Sequence, residues 1–264
     1  MNISQKFLCI PIFLLFFCTF SVNSEEQQDS SFIIVGAALN NEYRGSDDYS
    51  VVPFIVSNFS VGSVGVELEG LTFRAQLFDY SNWEFGFTAE YDFGRDEDVD
   101  NEVVASLREI DSTINTGAYA FYQDNSVFKQ GDEFEFRLSA LVDSGDAHEG
   151  AYATLGAAYT LPMKSQWRIQ FELETTYAND DYIDTYFGID EENSLLSGLP
   201  IYDADSSFRD VTLSTSIGYF TKSNWGVFAR LSASKLLGDA KDSPIVDIGS
   251  SNQYLFGIGA YYRF

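Results

Sequence analysis

Apolar and polar residues alternate with a period of two in segments of about ten residues along most of this chain. From Trp167 to Tyr177, the positions Trp167, Ile169, Phe171, Leu173, Thr175 and Tyr177 form one face of an extended strand. Arg168, Gln170, Glu172, Glu174 and Thr176 form the other. Glu133 to Val142 repeats the pattern, with Phe134, Phe136, Leu138, Ala140 and Val142 opposite Glu135, Arg137, Ser139 and Leu141. Phe85 to Phe93 does the same, with Gly86, Thr88, Glu90 and Asp92 on the polar face. Strands are expected near 32–40, 49–60, 63–69, 71–79, 84–93, 113–123, 132–142, 150–161, 166–178, 209–220, 224–236 and 252–264. At Glu69-Gly70 the apolar register switches from Val64, Val66 and Leu68 to Leu71, Phe73, Ala75 and Leu77. A tight hairpin explains the switch and keeps the strand count even. A β-bulge within one long strand fits it too.

Alternation alone does not separate a soluble sandwich from a membrane barrel, but loop lengths do. Short polar connections at Tyr80-Ser81-Asn82, Asp124 to Gly131, Pro162 to Ser165 and Thr221-Lys222-Ser223 alternate with longer acidic loops at 41–48, 94–112, 179–208 and 237–251. Short turns at one end and long loops at the other are the asymmetry of bacterial outer-membrane barrels. The sequence closes on Tyr254, Phe256, Ile258, Ala260, Tyr262 and Phe264, the apolar face of a strand that ends on an aromatic with no polar tail. A soluble protein would leave that strand as an exposed edge, whereas a closed barrel pairs it with the first strand and leaves no edge. The fold class expected is therefore all-β, an antiparallel transmembrane β-barrel of about twelve strands, with ten or fourteen as alternatives. Short helices are expected inside loops, at 101–110 and 191–196.

The first residues read as a leader. Lys6 precedes an apolar stretch from Phe7 to Phe20, and Ser21-Val22-Asn23-Ser24 supplies small or short residues for a signal peptidase. The stretch falls short of the ~20 residues that cross a bilayer as a helix, and Leu15-Phe16-Phe17 argues against lipidation at Cys18. The expected organisation is a cleaved signal peptide at 1–24 and a barrel at 25–264. Cys9 and Cys18, the only cysteines, both lie in the leader, so the exported protein must be stable without disulfides.

Composition narrows the partners. Fifteen basic residues face forty acidic ones, a net charge of −25. That balance argues against nucleic acid as a partner. It disfavours direct adhesion to anionic headgroups, so contact with outer-membrane lipid and lipopolysaccharide is expected where divalent ions bridge the acidic loops to the lipopolysaccharide phosphates. An aromatic content of 16%, regularly spaced, excludes a disordered chain.

No residue pattern indicates catalysis. His148 is the single histidine, in Asp143-Ser144-Gly145-Asp146-Ala147-His148-Glu149, and is expected as an exposed loop residue without a task. Acid clusters at Asp96-Glu97-Asp98-Asp100, Asn179-Asp180-Asp181 and Glu191-Glu192 lack EF-hand spacing and are expected as solvated loop faces. Gly257-Ile258-Gly259 lies within a strand, where it relieves crowding and binds no phosphate. No catalytic, cofactor-binding or metal residues are assigned, and no cofactor is expected. On the polar faces, six acids (Glu84, Glu90, Asp92, Glu135, Glu172, Glu174) meet five arginines (Arg74, Arg137, Arg168, Arg230, Arg263). Such a set fits either a cross-braced lumen or a small cation-favouring channel.

Several strings resemble the MipA/OmpV family of outer-membrane proteins, the MltA-interacting proteins. They are Tyr43-Arg44-Gly45-Ser46-Asp47-Asp48-Tyr49 with Val52-Pro53; Gly94-Arg95-Asp96-Glu97-Asp98; and Thr185-Tyr186-Phe187-Gly188-Ile189. Further on come Ser197-Gly198-Leu199-Pro200-Ile201-Tyr202-Asp203-Ala204 with Arg209-Asp210-Val211, then Leu236 to Val246, and the closing Ala260-Tyr261-Tyr262-Arg263-Phe264. The resemblance implies location in the cell outer membrane of a Gram-negative bacterium. It also implies a non-catalytic scaffold in peptidoglycan (murein) biosynthesis, linking a lytic transglycosylase to a murein synthase. The residues alone leave a second reading, a small outer-membrane pore or channel for solutes. In the scaffold reading Lys129, Lys164 and Lys222 supply one basic residue to each of three periplasmic turns.

Overall fold

The computed structural model describes residues 31–163 and 166–264. The leader at 1–24 and Lys164 lie outside the described residues. Twelve antiparallel strands close into one barrel in sequential order. They are β1 (Phe32–Asn41), β2 (Tyr49–Val61), β3 (Val64–Glu69), β4 (Thr72–Tyr80), β5 (Trp83–Asp92), β6 (Thr113–Asn125), β7 (Glu133–Asp143), β8 (Ala151–Thr160), β9 (Trp167–Ala178), β10 (Ser207–Phe220), β11 (Trp225–Leu236) and β12 (Asn252–Arg263). The closure is β1 against β12, with Val35 opposite Ala260 and Ala37 opposite Ile258. Every strand therefore has two neighbours and the sheet keeps no free lateral strand.

Side-chain alternation runs around the wall, broken by register shifts at Gln76/Phe78 in β4 and Phe208/Asp210 in β10. Leu213, Leu173, Ala157 and Phe136 lie in register across β10, β9, β8 and β7 on the outer face. Exposed aliphatic residues such as Leu173 (55%) and Ile258 (57%) crowd that face, as a lipid-facing surface requires. Aromatic residues gather at its two rims. Tyr80, Phe128, Trp167, Trp225 and Phe264 ring the lower end, where the chain termini of the barrel meet. Tyr49, Tyr91, Phe93, Tyr177, Phe208 and Tyr254 ring the upper end.

The Glu69-Gly70 switch is a hairpin: Gly70 takes φ +59° between β3 and β4, a left-handed conformation open to glycine. β3 is six residues long against thirteen in β2, so β2 runs on past this hairpin. The lower turns are short. In the β6–β7 turn the Asp132 carboxylate accepts the backbone N–H groups of Val127, Phe128 and Lys129 and the Tyr159 hydroxyl. The long upper loops hold five short helices: α1 (Glu102–Ala105), α2 (Asp180–Phe187), α3 (Glu191–Ser197), α4 (Gly238–Asp242) and α5 (Pro244–Asp247). α1 is shorter than the expected 101–110 helix because Asn101 caps its start and the Ser106 hydroxyl returns to the Val103 carbonyl at its end.

Candidate functional site: a braced lumen beneath a loop cap

The inward faces of the strands bring the charged residues together, as their alternation requires. Glu69, at the top of β3, is the hub. Arg74 of β4 donates to it at 3.0 Å, and Arg137 of β7 and Arg230 of β11 approach it at 3.7 Å each. Arg74 also binds Glu67 at 2.7 Å, and Arg230 donates to Glu172 of β9 at 2.5 Å. Five strands from opposite sides of the barrel are thus tied across its interior. A second layer lies lower, where Arg168 grips Glu133 through both terminal nitrogens (3.1 and 2.8 Å) and Gln170 donates to Glu135 at 3.0 Å. A guanidinium held by two carboxylate oxygens is fixed in direction as well as position.

Of the inward charges read from the sequence, Arg74, Arg137, Arg168, Arg230, Glu135 and Glu172 join these two layers. Glu67, Glu69 and Glu133 were missed. Glu69 and Gly70 read as turn residues in the sequence, and nothing in a local pattern reveals that Arg137 and Arg230, from distant strands, join Arg74 of the paired strand on one carboxylate.

Above the lumen sits a cap with its own apolar core. Asn179 accepts the Tyr182 N–H to start α2, whose Tyr182, Ile183, Tyr186 and Phe187 all turn inward and are buried. They pack with Ile110, Leu141, Tyr152, Leu236 and Val246, drawn from five other parts of the chain. A second cluster joins Tyr43, Val104, Leu107, Ile189 and Ile245. Polar bolts hold the cap to the barrel. Arg44 pairs with Asp92 at 2.9 Å and lies over the rings of Tyr186 and Tyr182 at 5.4 and 5.9 Å. Arg209 donates to the Tyr182 hydroxyl and to Asp210, both at 2.6 Å. Arg95 is buried and donates to the Tyr186 carbonyl at 3.3 Å; burial pulls its guanidinium down to about 10.

His148 corrects the sequence reading. It is 3% exposed rather than a surface loop residue. Its Nδ1 accepts the Gly150 N–H at 3.0 Å, which leaves Nε2 to donate to Asn115 Oδ1 at 2.9 Å. Its ring meets the edge of Tyr182, and burial lowers its pKa from the usual histidine value. Both ring nitrogens are occupied in fixing the cap. The Ser144 hydroxyl is engaged by Thr116.

The acid clusters divide by role. Asp180-Asp181 and Glu191-Glu192 occupy the first turns of α2 and α3, where they complement the helix dipoles. Asp96 to Asp100 is an exposed loop in which Asp96 accepts the Asp98 N–H at 3.0 Å. An open cavity of about 460 Å³ on the outer surface carries Asp146, Glu149, Asp180, Asp184, Asp203 and Asp205. Among the described residues no three His, Cys, Asp or Glu side chains converge as metal ligands.

Comparison with known proteins identifies the lineage. A model of the family described as MltA-interacting protein MipA matches residues 33–264. The chain belongs to the MipA family. Among curated proteins no match is found. Solved structures with similar architecture include OmpT of Vibrio cholerae (9% identity, TM-score 0.40, 90% of this chain and 99% of that one). A bacterial polysaccharide outer membrane secretin (11%, 0.42, 90% and 100%) and the CymD monoaromatic hydrocarbon channel (9%, 0.40, 90% and 89%) are also similar. This MipA-family chain is an outer-membrane β-barrel. Its short-turn end is accordingly periplasmic and its capped end extracellular.

Proposed function

We propose that this barrel is a non-catalytic scaffold of the outer membrane, holding a lytic transglycosylase and a murein synthase at the periplasmic face. One observation carries the reading: the arginine–carboxylate lattice around Glu69 ties strands across the interior, and an apolar-cored cap lies above it. A barrel so braced offers its periplasmic turns as its contact surface toward the cell wall. Arg74, Arg137, Arg168 and Arg230 are engaged with inward carboxylates, which supports a bracing role for the interior.

The turns are short, and a standard interface needs ~800 Å² from each partner. Binding is therefore expected to draw on tethering, in which a lipid-anchored enzyme shares the membrane with the barrel and gains effective concentration. Reversing the charge of Lys129, Lys164 and Lys222 together should reduce crosslinked recovery of murein enzymes from membranes while heat-modifiable gel migration persists. Unchanged recovery, together with stable single-channel conductance by the wild type in a planar bilayer, would replace the scaffold with a solute channel.

A further inference from the structure

Four arginines serve the extracellular cap, and three of them meet a carboxylate. Arg44 pairs with Asp92, Arg209 with Asp210 and the exposed Arg108 with Asp190, at 2.9, 2.6 and 3.0 Å. Arg95 is the exception among the described residues. It is 7% exposed, and its side-chain hydrogen bond runs to the Tyr186 carbonyl at 3.3 Å. The ionisable groups that face it are the hydroxyls of Tyr43 and Tyr186, not a carboxylate. A buried cation without a counter-ion is costly, and an anion supplied from outside relieves that cost.

Arg95 lies on the wall of a cavity of about 290 Å³ within the cap. The chain fixes it there. Gly94 takes φ +71° and passes so close to the next stretch of loop that a Cβ would collide with the carbonyls of Ile110 and Asp111. Arg95 and Ile110 then exchange backbone hydrogen bonds at 2.9 and 2.8 Å. Asn193 accepts the Arg108 N–H at 2.8 Å, which ties this loop to α3. From another side, Asp143 gathers the N–H groups of Gly145, His148 and Glu149, and the loop so shaped presents Asp146 at φ +58°. Of the lining residues, Ile110 and Asn193 are buried with Arg95, whereas Arg108, Glu109, Asp111 and Asp146 are exposed. The cavity thus holds a cation in its depth and a mostly acidic rim.

That charge pattern selects its occupant. Among the described residues the carboxylates of Glu109, Asp111 and Asp146 have no hydrogen-bond or ion-pair partner. Together with a net charge of −25 they repel a bare anion, and Arg95 repels a bare cation. A molecule carrying both charges satisfies both ends. The acidic cavity of about 460 Å³ adjoins this one, sharing Asp146, Ala147 and Thr185 as a common wall. Beyond that wall stand Asp180, Asp184, Asp203 and Asp205, where a second positive group finds its counter-ions.

We propose that the two joined cavities bind a basic amino acid with a free carboxylate. The carboxylate sits on Arg95, the α-ammonium at the Asp146 rim, and the side-chain cation among the aspartates of the larger cavity. Guanidinium–carboxylate pairing fixes the direction of the bound molecule as well as its charge, and a frame already held by the Gly94, Asp143 and Asn193 contacts spends little on ordering. The site opens on the extracellular side, so its ligand comes from the surrounding medium. The inference rests on the cap lying outside the cell and is independent of the scaffold reading.

The test is calorimetric titration of the full barrel, folded in detergent micelles, with L-lysine, cadaverine and L-norleucine. Cadaverine keeps both amines and lacks the carboxylate; norleucine keeps the carboxylate and α-ammonium and lacks the side-chain charge. Lysine should bind about tenfold more tightly than either, the worth of one charge-assisted hydrogen bond. Arg95→Met should abolish lysine binding, and Asp146→Asn should weaken it by about tenfold. Asp146 is exposed and asparagine accepts its left-handed backbone, so this variant keeps the cap intact, as limited proteolysis across 179–206 would verify. Should Arg95→Met loosen the cap through its lost bond to Tyr186, Asp146→Asn and the cadaverine comparison decide. Cadaverine binding as tightly as lysine would reduce the site to an acidic surface and overturn the proposal. So would norleucine matching lysine, an absence of lysine binding to the wild type, or unchanged lysine affinity in Asp146→Asn.

Discussion

Phe171 in the barrel wall and Phe187 in the extracellular cap are the same residue type under opposite solvents. Phe171 is 43% exposed, facing outward beside Leu173 and Leu213, while Phe187 is fully buried among Ile183, Tyr186 and Val246. In the wall, aliphatic side chains lie outside and arginine–carboxylate pairs inside. In the cap, helices close over an apolar core and place Asp180, Asp181, Glu191 and Glu192 at the surface. Both arrangements remove apolar surface from water. They differ only in what lies beyond the surface, hydrocarbon for the wall and water for the cap.

The largest expected effect would separate the two regions. Phe187→Ala empties the middle of the cap and should cost it about 3–5 kcal/mol. Proteolysis and hydrogen exchange should rise across 179–206, while the heat-modifiable shift of the barrel persists. Loss of the barrel along with the cap would show that the two fold as one unit.

Next comes the wall. Phe171→Arg near mid-strand should cost ~2–4 kcal/mol in urea unfolding from lipid vesicles. Gln170→Arg, on the adjacent inward position beside Glu135, should be far milder. Equal damage would place the lipid boundary elsewhere. In the lumen, Glu69→Ala leaves Arg74, Arg137 and Arg230 without their shared acceptor. A charged hydrogen bond is worth about 2 kcal/mol, so the variant should be moderately destabilised. It should also raise conductance if the lattice is what narrows the barrel.

The smallest effect is a pH dependence confined to the cap. Burial depresses the His148 pKa below its ordinary value of 6.5. The neutral imidazole is therefore the folded form, and its stabilisation is present above pH ~6.5 and declines as pH falls toward the folded value. Exchange of the 144–150 and 179–187 amides should accelerate between pH 7 and pH 5, and His148→Gln should flatten that response. Asp143 accepts the His148 N–H, and Asp92, Arg44 and Asp181 face the ring's surroundings; a flat wild-type profile would mean that these charges offset the burial.

Much of the wall is legible in the sequence. The outward set Trp167, Ile169, Phe171 and Leu173 follows from alternation alone, and the hairpin at Glu69-Gly70 follows from a register switch. The cap was harder to read. The sequence predicts α3 at 191–196 but not α2, although Asn179 followed by Asp180-Asp181 and the spacing of Tyr182, Ile183, Tyr186 and Phe187 spell a capped amphipathic helix. In a loop between strands that signal competes with the expectation of irregular backbone.

By itself the sequence determined which residues form strands, which face each side chain takes and where the tight turns fall. These depend on a two-residue period and on local backbone preferences, both written over a few neighbouring positions. Only the tertiary structure decided that Arg137 and Arg230 would join Arg74 at Glu69 and that His148 would be buried against Asn115 and Tyr182. Each of these joins residues tens to hundreds of positions apart. Their contacts arise from barrel closure and loop packing, which no local period encodes.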